Sequence, residues 1–337
     1  MKQLRKILWP FSVPYDGVTR LRNYFFDTNI FDSQEYDFPL IGIGNLSVGG
    51  TGKSPMTEYV LKLLKDTHKL ATLSRGYGRS TKGYYDVKPD SLASEVGDEP
   101  LQFARKFKDV QVAVCESRVE GVSILRKKSI QPEVVVLDDV FQHRKVSPGL
   151  LIMLTAYNDL FYKDLILPAG NLRESRGGAE RADIIVVTKC PENLSVDQQK
   201  QIEQKIKTYS DAPVFFAAIA YGSLQGESGA VTFNSLIKEE VAVVTGIAKP
   251  KPFLDYLNQK GVRYKHFEFG DHHNFADAEL ADLDRQKIII TTEKDYVRLR
   301  GKLKKAALYY IPICFKLLNK QTDFDNRIKG FVKSKEA

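Results

Sequence analysis

"IGNLSVGGTGKSP", residues 43–55, decides how the rest of the chain is read. It follows an apolar run and ends in Gly52, Lys53 and Ser54, the close of the phosphate-loop pattern G-x-x-x-x-G-K-[ST], with Ser47 where the opening glycine is expected. Such a loop works because backbone N–H groups converge on an anion at the positive end of a helix. Gly49, Gly50, Thr51 and Gly52 provide the close backbone approach. Lys53 carries charge to the β- and γ-phosphates, and the Ser54 hydroxyl suits Mg2+. Pro55 fits a first helical turn, where no N–H donor is needed. An ordinary glycine turn before a chance Lys-Ser pair would not need a strand before it and a helix after it, and both are written here.

A phosphate loop calls for an acid at the end of a neighbouring strand. "VVVLDDVFQHR", 134–144, supplies it: four apolar residues, as in a buried central strand, then Asp138 and Asp139 together. Adjacent carboxylates repel, so a nearby cation is a natural reason to hold them there; the competing reading is a turn with two solvated acids.

Around these motifs, strand-like runs at 40–44, 110–114, 134–138, 151–155 and 184–188 alternate with helical patterns such as 55–64 and 119–127. The alternation predicts an α/β fold with a parallel sheet covered on both faces. Residues 193–210 read as an amphipathic helix opened by Ser195. Residues 213–233 change character: two β-rich runs flank a Gly/Ser/Glu turn, the pattern of a hairpin. A second alternation follows, with strands at 241–247, 265–269 and 287–292 and a helix at 251–260. The division expected is 1–212, a hairpin linker at 213–235, and 236–337 as a smaller α/β domain with a basic tail.

The 337 residues are 43% apolar, enough for a sizeable core, with a formal charge of +8. Lys2, Arg5, Lys6, Arg20 and Arg22 oppose a single acid, Asp16, near the N-terminus, and the last stretch is also basic. Such ends suit an anionic surface. Trp9, Phe11, Tyr15, Tyr24, Phe25 and Phe26 add an aromatic component that can enter a lipid interface, or else pack on the core. Pro10 and Pro14 interrupt the apolar stretch, no run of 18 apolar residues occurs, and no small-residue cleavage site follows, so the segment is expected to be retained and to lie on a membrane rather than span it. Cys115, Cys190 and Cys314 form no C-x-x-C, which argues against a zinc knuckle or redox pair and fits a reducing cytoplasm. A nucleic-acid module would rest on charge alone, without an aromatic RNA motif.

"TKCP", 188–191, has the Thr-Lys of a guanine motif but lacks its acid, which favours ATP. A kinase also needs a proton acceptor for the attacking hydroxyl. "EVGDEP", 95–100, offers Asp98 and Glu99; "FGDHHNF", 269–275, offers two histidines beside Asp271.

The series "GNLSVGGTGKSP", "LSRGYGR" (73–79), "VGDEP", "LDDVFQHR", "LPAGNLRE" (167–174), "RADIIVVTK", "TGIAKPKPF", "DHHNF" and "TTEKD", in that order, resembles the tetraacyldisaccharide 4'-kinases of lipid A biosynthesis over nearly the whole chain. The family tolerates a non-glycine at the Ser47 position; Val140 departs from its usual D-D-G-F-Q and puts the turn after the acids in question. The resemblance implies a P-loop NTPase-like core, a smaller C-terminal domain and a two-stranded linker. It implies transfer of the ATP γ-phosphate to the 4'-hydroxyl of a tetraacylated glucosamine disaccharide 1-phosphate, at the cytoplasmic face of the inner membrane. Carried onto this chain, Lys53 and Ser54 hold MgATP, and Asp138 and Asp139 serve the metal with Ser54. Asp98 is the base with His272 as partner, and Arg118, Arg173 and Glu174 line the site. No obligate protein partner is implied. The alternative is a P-loop GTPase or ATPase acting in metal insertion or as a chaperone, which would share the loop and the acids but not the aromatic, basic N-terminus.

Overall fold

The apolar runs pair side by side. In the computed structural model, which describes residues 5–226, 229–233, 239–271 and 273–336, the first eight strands in chain order are β1 (Leu40–Asn45), β2 (Leu70–Ser74), β3 (Tyr85–Asp86), β4 (Gln111–Val114), β5 (Val134–Asp138), β6 (Leu150–Ala156), β7 (Ile184–Thr188) and β8 (Val214–Tyr221). They are followed by β9 (Leu224–Gly226), β10 (Gly229–Val231), β11 (Val241–Thr245), β12 (Tyr264–Glu268), β13 (Ile288–Thr292), β14 (Ala307–Ile311) and β15 (Ile313–Leu317). The helices are α1 (Trp9–Asp27), α2 (Lys53–Leu64), α3 (Ala93–Val96), α4 (Asp98–Lys106), α5 (Arg118–Arg126), α6 (Val196–Ile206), α7 (Lys251–Gln259), α8 (Asp277–Leu283), α9 (Glu293–Leu299) and α10 (Gln321–Ser334).

Nine strands form one sheet in the order β15-β8-β7-β6-β1-β5-β2-β4-β3, parallel except at its two edges. Strands such as β1, β5 and β7 are buried at every position, as a sheet covered on both faces requires. Apolar residues of α2, α4 and α10 cover one face, and those of α5 and α6 the other. Ser195 caps α6 through a reciprocal bond pair with Gln198. Strand order runs outward in both directions from β1, between β5 and β6, so the crevice at the carboxyl end of β1 is the switch point where α/β sheets bind ligands.

A six-stranded sheet, β10-β9-β14-β13-β11-β12, forms the second unit around its own apolar clusters. The expected division differs from this arrangement in two ways. The expected hairpin region divides between the sheets: β8 joins the large sheet beside β7, while β9 and β10 pair antiparallel in the small one. The second unit also does not keep the rest of the chain. After β14 the chain crosses back at Pro312, and β15 pairs antiparallel with β8. Phe315, Leu317, Phe324 and Ile328 are then buried in the large core, because the apolar faces of β15 and α10 fit the surface that α2 leaves open.

Pro10 and Pro14 do not break α1, which runs through both. Pro10 lies in the first turn, where no N–H is required. The helix docks along the 164–174 segment: Ser12 donates to the Ile166 carbonyl, Tyr15 to that of Arg173, and Asn23 to Glu174.

The two units meet where α4 packs on α9. Lys106 stands 2.6 Å from Glu58 of α2 and 2.9 Å from Glu293, and Arg105 donates to the Val297 carbonyl. Two acids share one ammonium here. Burial, and then the Glu58 charge, push the Glu293 carboxyl up to about 7. A carboxyl raised on folding contributes stability that is complete below its ordinary range and lost as pH rises through 7. Glu293→Gln is therefore expected to flatten the fall in urea unfolding midpoint between about pH 5 and 7.5; the same slope in the variant and the wild type would refute this account of the seam.

Candidate active site

The loop after β1 is built by backbone constraints on either side. Gly49 and Gly52 have φ of 105° and 94°, and Gly52 leads directly into α2, with a Cβ at that position only 3.0 Å from the Phe315 ring. Ser47 needs no such freedom. Its position is set by a bridge to Leu172, flanked by Val48 N–H bonding to Asn171 and Arg173 N–H bonding to Leu46. Thr188 donates to the Thr51 carbonyl at 2.7 Å, and Lys189 to that of Gly50. The Thr-Lys pair at the end of β7 thus braces the loop from below.

Gly44 lets β1 approach the turn after β5, where a Cβ would meet Phe141 at 2.6 Å. That contact sets Asp138 and Asp139 beside the loop, and the two diverge. Asp138 is buried, accepts from Thr57 at 3.3 Å, and is pushed up to about 7 by burial and then by the charge of Glu99. Asp139 carries the turn in the left-handed region, at φ 50°. Its carboxylate lies 3.5 Å from Lys53 and 3.3 Å from Arg173. Because Asp139 takes the strained conformation, Val140 can follow as an ordinary buried core residue. Lys53 also donates to Asn45 at 3.3 Å.

The third wall comes from α4. Gly97, at φ 91° and crowded by Tyr77 and Gly76, turns the chain so that Asp98 and Glu99 open the helix. Ser54 donates to Glu99 Oε1 at 2.7 Å, and Lys294 of α9 reaches the same oxygen at 2.6 Å. Burial works to raise Glu99, but the charge and hydrogen bond of Lys294, with Ser54 and Lys53, bring it down to about 2. Arg298, one turn further along α9, grips Asp98 with Nε at 3.0 Å and Nη2 at 2.5 Å, and is itself held by Asp295.

The expected residues therefore separate. Lys53, Ser54, Asp98, Asp138, Asp139 and Arg173 surround one crevice. His272 lies outside the described residues. His273 bonds to Glu279 at 2.8 Å and stacks on Phe269. Arg118 stands behind the two acids: it is 2% exposed and donates to the carbonyls of Cys115 and Asp138, tying the ends of β4 and β5 together. Glu174 is likewise buried, shared among Asn23, Gln142 and Arg181, and so anchors α1. Lys294, Arg298 and Lys189 carry no local signal of a site role: Lys294 lies in "TTEKD" and Lys189 is half of an incomplete guanine motif.

Among the described residues no group of three His, Cys, Asp or Glu side chains forms a metal cluster by itself. Ser54, Glu99 and Asp138 nonetheless present the hard oxygens that suit Mg2+, an ion that takes one or two carboxylates and completes its shell with phosphate and water.

A family model for tetraacyldisaccharide-1-P 4'-kinase matches residues 4–333. The chain belongs to this family. It is a lipid kinase, and ATP-dependent phosphorylation of the 4'-hydroxyl of the tetraacylated disaccharide 1-phosphate is its activity; the metal-insertion or chaperone reading is set aside. The tetraacyldisaccharide 4'-kinase of Flavobacterium johnsoniae is 46% identical, over 99% of this chain and 98% of that protein. That of Bacteroides thetaiotaomicron is 39% identical, over 98% and 94%. A crystal structure of LpxK from Aquifex aeolicus in complex with ATP superposes with a TM-score of 0.80 at 30% identity, covering 98% of this chain and 99% of that one. Kinases of this family must neutralise phosphate charge in a largely dry crevice. Lys53→Ala is expected to reduce kcat/KM by about 100-fold or more, with circular dichroism unchanged; turnover within a few-fold of wild type would remove Lys53 from the phosphate site.

Proposed function

We propose that this kinase binds MgATP at the phosphate loop with Ser54, Glu99 and Asp138 as the metal's protein donors, and uses Asp98 to accept the proton of the sugar hydroxyl. The observation that carries the reading is the hydrogen bond from Ser54 to Glu99, because it sets Asp98, the adjacent residue, at the edge of the phosphate loop. Bound Mg2+ would supply neutralisation of charge on the β- and γ-phosphoryl oxygens. Lys53 and the loop N–H groups hold the same phosphates. Asp139 orients Lys53 and Arg173, and places the Arg173 guanidinium toward the crevice. As the sugar oxygen bonds to the γ-phosphorus and the bridging bond to ADP breaks, the hydroxyl proton passes to Asp98. The grip of Arg298 fixes that carboxylate in place, and His272 would share the proton it accepts. The commitment of His273 to Glu279 favours His272 over its neighbour.

Asp98→Ala is expected to lower kcat at least 100-fold while the affinity for a fluorescent ATP analogue changes less than about threefold, since a base acts on the acceptor in the transition state. Collapse of nucleotide binding instead would make Asp98 a metal or phosphate residue.

We also propose that α1 rests in the interface of the cytoplasmic leaflet of the inner membrane, next to the ATP supply, and guides the acylated substrate toward Arg173. Trp9, Phe11, Val13, Val18, Leu21 and Tyr24 are each more than half exposed on this helix, as is Ile7 in the 3-10 turn Lys6–Leu8 before it, and Tyr15 links the helix to the Arg173 backbone. The division of labour differs from the composition-based expectation. Arg5 is engaged with Pro168, Gly170 and Asn171, Arg22 with Gln142, and Phe26 is buried under Arg144, so these hold the helix to the protein. No helix among the described residues is long and apolar enough to cross a membrane. Replacing Ile7, Trp9 and Phe11 by Ser is expected to cut co-sedimentation with anionic vesicles several-fold, and to slow phosphorylation of vesicle-embedded substrate more than detergent-dispersed substrate. Undiminished vesicle binding would reject α1 as the membrane contact.

A further inference from the structure

The cation that touches Glu99 comes from the other unit. Lys294 Nζ lies 2.6 Å from Glu99 Oε1, the oxygen that also accepts from Ser54 at 2.7 Å. Ser54 belongs to the phosphate loop, so this carboxylate faces the nucleotide crevice. The neighbouring seam pair differs. Lys106 joins Glu58 and Glu293, and neither of those acids bonds to a loop residue. Lys294 is also about one-third exposed, whereas Lys106 is 20% exposed, so Lys294 can leave its partner for water with little loss of packing. Around it stand Glu99, Asp98 and Asp271, an acidic surrounding that holds a positive charge at this place whether or not a metal is bound.

The local charge balance needs such an ion. Without a cation at Glu99, its carboxylate would stand without a counter-charge against Ser54 at the end of the phosphate loop. A divalent ion and an ammonium in contact with one carboxylate oxygen repel each other in turn.

We infer that Lys294 is a place-holding cation: it occupies Glu99 in the nucleotide-free enzyme and yields that oxygen to the metal that arrives with ATP. Lys294 thereby acts as a positioning residue. It keeps Glu99 aimed at the loop, and sets the affinity of the site for free divalent metal low, so that metal is taken up with nucleotide. Because Lys294 rides on α9, the exchange also loosens one of the contacts between α4 and α9. The inference rests on the reading of Ser54, Glu99 and Asp138 as the metal donors.

The test is a Mn2+ titration of the nucleotide-free, full-length enzyme, following free Mn2+ by electron paramagnetic resonance. Lys294→Met is expected to tighten Mn2+ binding about tenfold, the scale of one removed and partly screened neighbouring charge. Lys294→Gln should do the same, and Lys294→Arg should bind as weakly as wild type. In a Glu99→Gln background Lys294→Met should change nothing, because the competition acts through that carboxylate. Unfolding midpoints identify any variant whose fold has failed, and the Met and Gln variants serve as mutual replacements. Unchanged or weaker Mn2+ binding in the folded Met or Gln variant would overturn the inference, as would equal tightening in the Glu99→Gln background. Removal of Mg2+ by EDTA separates the two levels. If wild-type phosphate transfer survives EDTA, the metal reading fails and the inference with it. If transfer is lost in EDTA and Lys294→Met leaves Mn2+ affinity unaltered, the inference alone fails.

Discussion

The active crevice depends on the first turn of α4. Two carboxylates there, Asp98 and Glu99, are held on one side by the phosphate-loop serine and on the other by Lys294 and Arg298 of the second unit. Each bond has the geometry of a charge-assisted hydrogen bond, and each joins a loop or helix terminus to another sequence-distant element. Remove the turn and the loop keeps its backbone cradle and Asp138 beside it, but loses both acids that open α4. Gly97 makes the turn possible, because its positive φ lets the chain reverse between α3 and α4 without a side chain striking Gly76.

Charge is distributed around this turn by burial as much as by sequence. Neighbouring acids separate in behaviour. Glu99 is held ionised by lysines, while Asp138, more deeply buried and within reach of the Glu99 charge, is pushed toward its neutral form. Asp139, one residue further on, escapes to the rim and pairs with Lys53 and Arg173. The backbone at Asp139 enforces the split, since a left-handed residue reverses the direction in which the next side chain points, and Val140 turns into the core. One dipeptide thus serves both a buried and an exposed position.

Much of this was legible in the residues themselves. The apolar runs at β1, β5 and β7 could be read because strands buried on both faces are written as unbroken apolar stretches, and the loop and the two acids because their chemistry tolerates few alternatives. Less legible were elements whose placement depends on partners far along the chain. β15 carries Cys314 and Lys316 within an otherwise apolar run, and its pairing with β8 follows from the return crossing at Pro312, which no local pattern announces. Arg118 and Glu174 were named as site residues only through the family resemblance. Their burial against carbonyls and against α1 is a tertiary fact. Lys294 and Arg298 were hidden in turn: a lysine and an arginine on a short helix look like a solvated face until α4 is laid against them.

The antiparallel pairing of β8 with β15 brings Tyr221 opposite Ile313, so the chain leaves the large sheet and re-enters it at a single point. The second unit is therefore an insertion, residues 222–312, carried on two adjacent stalks. Facing residues of antiparallel strands lie about 5 Å apart, a gap that a short hairpin turn can close. The phosphate loop and both strand-end acids lie outside the insertion, whereas the pair of cations that face Asp98 and Glu99 lie within it. On this architecture the inserted unit adds no residue to the phosphate loop; it supplies the counter-charges that order the two acids opening α4.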